Sequence, residues 1–334
     1  MATDDQAPDT VKHQFQAPAD AAGQRFDALV AAFFNTYSRS RLQDWIKRGY
    51  ITVDGQQRKP SDKLIGAEVI ELVLPPDALA ESWIDGSESG LSGIVAETMH
   101  LDLVQTDDHL FVVNKPAGLV MHPAPGNRSG TLMNGLLSAD ETLRSVPRAG
   151  IVHRLDKDTS GLCVVARTLQ AHTNLVAQLQ NRSVSRTYLA VALGDVAESG
   201  TIEEPIGRHP KDRRRMAVVH NGKYARTHYH VLERFAHCAL VAVKLETGRT
   251  HQIRVHMTHI GHPLLGDPVY GKRSTSRPLW VQNHPVLSQF SRQALHAHEL
   301  GLKHPHTGLQ VQFEIPPPAD FNQVVDALRS AQGT

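Results

Sequence analysis

The nonapeptide HRLDKDTSG, His153 to Gly161, sets two acids, three bases and three small polar or flexible residues between the apolar runs GIV and LCVVA. Both flanks read as strands, so the nine residues form a polar loop at strand ends, where scaffolds commonly hold reactive groups. Asp156 lies between Arg154 and Lys157, with Asp158 close behind. A carboxylate beside cations favours its ionised form, which suits a nucleophile or a base and disfavours a proton donor. The same residues also fit a salt-bridged turn in which Thr159 and Ser160 cap backbone amides. A second segment, LETGRTHQIRVHMTHIGHPLLGDPVYG, begins as a strand, turns at Thr247 and Gly248, and continues with Ile253, His256, Met257 and Ile260 at helical spacing. Arg249 and Arg254 fall at or near the start of that helix. A third, SRTYLAVAL, is a strand carrying Tyr188 among apolar neighbours, where an interior phenol needs a polar partner or a ligand.

Together these segments resemble the RluA/RluD family of pseudouridine synthases, which carry a HRLD-type loop, a basic-x-Tyr strand and a TGRTHQIRxH segment. VPRAGIV before the loop and HPLLGDPVYG after the helix add to the likeness, which covers residues 24 to 330. Within the family it runs to the branch acting on large-subunit ribosomal RNA. The resemblance implies isomerisation of uridine to pseudouridine without a metal or other cofactor. It implies as substrate 23S rRNA or a large ribosomal subunit precursor, at the stem-loop called helix 69, with another rRNA site or a tRNA as the alternative. It implies that Asp156 is the catalytic carboxylate, that Arg254 ion-pairs with it, and that Tyr188 stacks on the uracil. Arg154 matches the arginine that fills the place of the flipped base.

The chemistry agrees with the residue types. The N-glycosidic bond must break, the base rotate, and C5 bond to C1′. A carboxylate can attack C1′, add to C6 of uracil, or take a proton from C2′, and the sequence leaves all three open. An arginine fork holds a carboxylate charged and aimed better than a lysine does. A base inside a folded stem-loop must be extruded at a cost of about a few kcal/mol.

The elements that position these residues follow from apolar spacing. LFVVNKP, GLCVVART, RTYLAVAL, ARTHYHVLERF, CALVAVKLET, QALHAHELGLKHP and LQVQFEIPP read as strands, and 169–181, 251–260 and 319–330 as helices. The fold class is α+β, with a long mixed, mainly antiparallel β-sheet flanked by helices over 101–330. Before it, RFDALVAAFF and SRSRLQDWIKRGY read as helices, the second with a capping box at Ser40 and Gln43. YITVDGQQRKPSDKLIGAEVIELVL follows as strands turning at Asp54 and Gly55. This ααββ unit, 24–75, resembles the S4 RNA-binding domain. Residues 1–23, rich in Ala, Pro and Asp, read as disordered, and 76–100 as an acidic linker tacked down by Trp83 and Ile84. This linker and the N-terminal segment are longer than the family leads one to expect.

At 334 residues with 40% apolar and 21% charged, the chain describes an ordinary globular protein, without an apolar run long enough to span a bilayer and without a signal peptide. No membrane contact and a cytoplasmic location are expected. Cys163 and Cys238 read as buried free thiols. The net charge of +1 hides two basic blocks around an acidic one. Eight Lys or Arg face four Asp from Arg25 to Lys63, and seven face Asp212 alone from Arg208 to Arg226, while Asp77 to Asp108 holds eight acids and no Lys or Arg. Such blocks are solvated faces or surfaces for a polyanion. Expected RNA contacts are Arg39, Arg41, Lys47 and Arg48 on the second helix, with Arg213, Arg214 and Arg215 in the later block.

His251, His256, His259 and His262 crowd one segment, but no HExxH spacing or adjacent acid accompanies them among 20 scattered histidines, so no metal is expected. Asp267 in GDPVYG reads as a turn residue rather than a second catalytic acid. Rossmann and Walker glycine patterns are missing, and with them the signature of a nucleotide cofactor. A monomer is expected, and the rival to an enzyme is a noncatalytic RNA-binding or ribosome-assembly factor.

Overall fold

Apolar residues two apart in ITV and VIELV, and three or four apart in the helices before them, dictate the N-terminal unit. The computed structural model describes residues 12–18, 21–33, 39–73, 94–124, 127–212, 215–271 and 279–331. The chain divides into two units, Met1–Gly93 and Ile94–Thr334.

In the first unit β1 (Lys12–Gln16), α1 (Phe26–Phe33), α2 (Arg39–Arg48), β2 (Ile51–Val53) and β3 (Val69–Val73) follow one another. The strands form an antiparallel sheet in the order β1-β3-β2. Phe26, Leu29, Val30, Leu42, Trp45 and Ile46 of the helices close over Ile51, Val53, Ile70 and Leu72. Asp54 and Gly55 both adopt positive φ, 50° and 73°, as the turn signal requires. Two expectations need correction. Residues 12–16, assigned to a disordered segment, pair with β3 from Lys12 opposite Val73 to Gln16 opposite Val69, and Ala17 and Ala21 are buried. The edge of β3 needs hydrogen-bonding partners, and a largely polar segment supplies them through its backbone. Ser40 is no N-cap, because α2 already includes Arg39, and the Gln43 amide donates instead to the buried Asp27 carboxylate at 2.5 Å.

The second unit is built from β4 (Asp102–Thr106), β5 (Leu110–Lys115), α3 (Leu132–Ala139), β6 (Ser160–Ala166), α4 (Leu169–Gln180), β7 (Ser185–Leu193) and β8 (Ser199–Glu203). Then come β9 (Ile206–Arg208), β10 (Met216–Val218), β11 (Arg226–Arg234), β12 (Cys238–Leu245), α5 (Gln252–His259), α6 (Leu279–Gln282) and α7 (Pro285–Gln289). β13 (Leu295–Lys303), β14 (Gln310–Glu314) and α8 (Ala319–Ser330) complete it. A nine-stranded sheet runs β4-β5-β6-β13-β7-β12-β11-β8, with β14 also on β13. Only the β6–β13 pairing is parallel, so the sheet is mixed and mainly antiparallel. Ala171 and Leu175 of α4 pack on Val112, Leu162 and Val164, and Phe321, Val324 and Leu328 of α8 pack near Val191 and Cys238. β6 is buried at every residue, which places its preceding loop at the centre of the sheet.

The linker expectation, 76–100, is corrected at its end, while Trp83 and Ile84 lie outside the described residues. Residues 94–100 belong to the second unit: Val95 O accepts from Asn134 Nδ2 at 2.7 Å, Ile94 O from Arg144 Nη1 at 3.2 Å, and Glu97 N–H donates to Asn134 O at 3.0 Å. Among the described residues no helix is long and apolar enough to cross a membrane. Both cysteines are buried free thiols, as expected.

Candidate active site

The loop His153–Ser160 is fastened from several sides. At the end of β5 the fully buried Lys115 ammonium donates to Pro116 O at 2.7 Å and to Leu119 O and Lys157 O at 2.9 Å. Gly118 N–H meets the same Lys157 carbonyl at 2.9 Å, and Thr159 N–H closes a turn onto Asp156 O at 3.1 Å. Arg292 Nη1 donates to Asp158 O at 3.2 Å, Gln293 Nε2 to Thr159 Oγ1 at 3.1 Å, and Ser160 Oγ lies 3.0 Å from His296 Nδ1. His153 Nε2 accepts the Val164 amide at 3.0 Å. Burial pushes that imidazole down to about 3, so it stays neutral and keeps its acceptor lone pair. Gly161 follows at φ +115°, and a Cβ there would lie 2.2 Å from the Ala297 carbonyl oxygen. Most of the polar residues of HRLDKDTSG therefore hold the loop, and Asp156 is what the loop presents.

Asp156, with 15% of its side chain exposed, accepts from Arg254 Nη1 at 2.9 Å through Oδ2. The two residues are 98 positions apart, and α5 brings the arginine in. Arg154 and Lys157, the neighbours expected to attend the carboxylate, are exposed. Arg254 spends its other edge on Asp267: Nε reaches Oδ2 at 2.7 Å and Nη2 reaches Oδ1 at 2.9 Å. Asp267 Oδ1 also takes the amides of Val269 at 2.9 Å and Tyr270 at 3.0 Å, so its turn reading holds, and the buried ion pair comes in addition. Burial works against the charge on Arg254, yet the two carboxylates hold its pKa above the ordinary value.

Tyr188 lies on β7, separated from β6 only by β13, and is 6% exposed. Burial pushes its phenol up to about 12; Arg186 opposes and Asp156 reinforces the shift, which puts both charges within electrostatic reach of the ring. The sheet order β6-β13-β7-β12, followed by α5, thus brings Arg254 onto Asp156 and sets Tyr188 on the strand two places from β6.

α5 owes its start to Gln252. Its side-chain oxygen accepts from Thr247 Oγ1 at 2.8 Å and Arg249 N–H at 2.9 Å, and its amide donates to Arg226 O at 3.0 Å and Thr227 Oγ1 at 2.9 Å. The crowded histidines go separate ways. His256 bonds Thr227 Oγ1 and Glu204 O, His262 bonds Leu193 O, and His251 bonds the Tyr270 hydroxyl at 2.8 Å. Among the described residues the one grouping with metal-ligand spacing is His298, Glu299 and Glu314, away from that segment.

Of the expected RNA contacts, Arg154 is exposed beside Asp156, and Lys47 and Arg48 are exposed on α2, Arg48 lying 5.0 Å over the Tyr50 ring. Arg39 and Arg41 belong to α2, but their side chains lie outside the described residues, as do Arg213 and Arg214 entirely. Arg215 does not run off along the surface. Its guanidinium sits 5.2 Å over Tyr270, the ring that Arg254 also covers at 5.0 Å. Sequence reasoning missed His251, Tyr270 and Lys115, and the ion-pair role of Asp267. The only signal for Lys115 was a lone cation ending the apolar strand LFVVNK.

Comparison with known proteins places this geometry. The RNA pseudouridylate synthase family signature matches residues 109–259. A "Ribosomal large subunit pseudouridine synthase D" from Pseudomonas aeruginosa is 50% identical over 96% of this chain and 97% of its own, and one from Xylella fastidiosa is 49% identical over 95% and 92%. Among solved structures, "Human RNA Pseudouridylate Synthase Domain Containing 4" covers 68% of this chain and 92% of its own at 25% identity with a TM-score of 0.55. "Human RNA Pseudouridylate Synthase Domain Containing 1" covers 69% and 95% at 27% identity and 0.52. With half its residues matched along nearly its whole length by such a relative, the chain belongs to the RNA pseudouridylate synthase family.

Proposed function

We propose that this pseudouridine synthase isomerises uridine in 23S rRNA or a large ribosomal subunit precursor, at the helix 69 stem-loop, with Asp156 as catalytic carboxylate. The observation that carries the reading is the 2.9 Å pairing of Asp156 Oδ2 with Arg254 Nη1, made by two segments far apart in the chain. Oδ1 is left without a hydrogen bond from Arg254, available to the ribose or the uracil. Arg254 holds the carboxylate in place and Tyr188 stacks on the extruded base, whose removal from a loop costs about a few kcal/mol. Arg154 takes the vacated position in the RNA.

The N-terminal unit, read as S4-like, grips RNA through the exposed α2 residues Lys47 and Arg48, together with Arg39 and Arg41. Support for that role comes from an open surface depression where Lys47, Arg58 and Lys59 outnumber the one acid in its lining, Asp62, a net positive setting for phosphate. Arg213 and Arg214, which lie outside the described residues, add charge for the RNA backbone beside Arg215, whose guanidinium lies over Tyr270. The protein acts as a cytoplasmic monomer, since one catalytic unit and one clamp grip a stem-loop unaided. The relatives' names, which specify the large ribosomal subunit, support the substrate class.

The test is tritium release from [5-³H]uridine-labelled large-subunit rRNA. The wild type releases tritium; Asp156→Asn releases none while still binding the RNA. Equal release by the two proteins overturns the assignment, and mapping pseudouridines in rRNA from cells lacking the protein identifies the nucleotide.

A further inference from the structure

His251 stands at the N-cap of α5, where a side chain normally bonds a backbone amide of the first turn, yet it makes no capping bond. Its backbone is left-handed, φ 58° and ψ 22°, a region uncommon for a residue with a Cβ although histidine adopts it more readily than most. That backbone turns the ring away from the helix start and toward Asp156, with Nε2 4.0 Å from Oδ1. The opposite ring nitrogen, Nδ1, lies 2.8 Å from the Tyr270 hydroxyl. That hydroxyl already accepts the Met216 amide at 2.9 Å, and His251 Nδ1 is the acceptor placed to receive its proton. With Nδ1 accepting, the imidazole carries its own proton on Nε2, the atom facing the carboxylate. Burial lowers the ring's pKa from the ordinary imidazole value, although Asp156 opposes this, so the group is neutral.

We propose that His251 is a positioning residue for the pseudouridine reaction, its Nε2–H set by Tyr270 to hold Oδ1 of Asp156 in register while Arg254 holds Oδ2. The proposal rests on Asp156 as the catalytic carboxylate. Arg254 alone fixes one oxygen and leaves the carboxylate free to swing about that contact. A polar N–H on the far side favours one orientation. At 4.0 Å this is an electrostatic contact rather than a hydrogen bond, so it orients Oδ1 without capping its lone pairs. Tyr270 is in turn fixed by Met216 on β10, so the hairpin carrying Arg215 is hydrogen-bonded through Tyr270 to His251, the ring that faces the carboxylate.

The experiment uses His251→Asn, His251→Gln and Tyr270→Phe in the full-length protein, with Asp156→Asn alongside, measuring kcat and KM by tritium release together with melting temperature. Asparagine suits a left-handed backbone, so His251→Asn keeps the fold, but it is too short to meet Tyr270 and Asp156 together. Its kcat falls about 10- to 100-fold with KM unchanged, the scale of a misaimed reacting group. His251→Gln, whose amide reaches near the Nε2 position, recovers most of that loss. Tyr270→Phe, which frees the tautomer, lowers kcat less than His251→Asn does. Wild-type kcat in a folded His251→Asn, a rise in KM with kcat intact, or His251→Gln no better than His251→Asn overturns the proposal. If Asp156→Asn itself turns over, the parent assignment has failed, whereas an inactive Asp156→Asn beside a fully active His251→Asn defeats this inference alone.

Discussion

Replacing Asp267 by asparagine keeps the shape of the side chain and changes one atom. The carboxylate, with no exposed side-chain surface, receives four N–H groups: two from Arg254 at 2.7 and 2.9 Å, and the amides of Val269 and Tyr270. In Asp267→Asn the remaining oxygen can serve Nη2 and the two amides, but an NH₂ then faces Arg254 Nε, donor against donor. One charge-assisted bond is lost, about 1.5–3 kcal/mol, and the opposed donors add to it. Removing a whole partner from a buried pair costs about 3–5 kcal/mol, and that ceiling is not reached because Asp156 still neutralises the guanidinium. We expect about 3 kcal/mol, which for a unit of this size lowers the melting temperature by about 6–12 °C. Because Arg254 then aims Asp156 less well, kcat falls by up to about 100-fold.

The pH dependence separates charge from shape. Burial alone would raise the pKa of Asp267, but the Arg254 guanidinium and the amides of Tyr270 and Val269 outweigh it and hold the carboxyl below its ordinary value. A carboxyl depressed in the folded state contributes stability above its unfolded pKa and loses it as pH falls through the folded one. The gap between wild type and Asp267→Asn is therefore full at neutral pH and narrows below about pH 4. Thermal melts from pH 7 down to acid conditions give the curve. A gap that keeps its size throughout, or no gap at neutral pH, refutes the reasoning.

Three further outcomes follow from the same geometry. Gly161→Ala drives a Cβ into the Ala297 backbone, 2.2 Å from its oxygen and 2.6 Å from its nitrogen, at φ +115°, so it costs about 3 kcal/mol or more and displaces the Asp156 loop; a melt matching the wild type contradicts this. Lys115→Met strips the donor from three carbonyls, but burial has already pushed the ammonium down to about 8, so relief of that burden offsets part of the loss and about 2 kcal/mol remains, measurable by urea unfolding. Burial pushes both thiols up to about 12, so Cys163 and Cys238 stay unlabelled by a disulfide reagent in the native protein and react after denaturation; rapid native labelling counts against the fold.

Elements that bury their own side chains were legible in the sequence. The helix expected over 169–181 is Leu169–Gln180, that over 319–330 is Ala319–Ser330, and CALVAVKLET contains the strand Cys238–Leu245. Elements that others complete were not. α3 contains Gly135, which reads as a helix breaker; a Cβ there would meet Met99 Cγ at 2.5 Å, so the glycine makes room for the strap 94–100 that packs on the helix. β8, SGTIE, buries Ile202 alone and owes its form to pairing with β11, as KHQFQ owes its form to β3. A strand that contributes mainly backbone leaves no period of two to find.

The same distinction runs through the site. Motif likeness singled out Asp156, Tyr188 and Arg254, while the residue types of the HRLDKDTSG loop alone favoured a salt-bridged turn. Asp267 looked complete as a turn because the turn uses one oxygen, Oδ1, for two amides, and nothing local reveals the guanidinium on the other. A left-handed histidine leaves no sequence mark, since helix starts are recognised by Ser, Thr, Asp or Asn, and here Gln252 anchors the turn from inside the helix. What sequence does constrain is the identity of residue 254. Three N–H groups in one plane must reach two carboxylates on separate segments, and a lysine carries the charge but not the fork, so it would hold either Asp267 or Asp156 and leave the other without its partner.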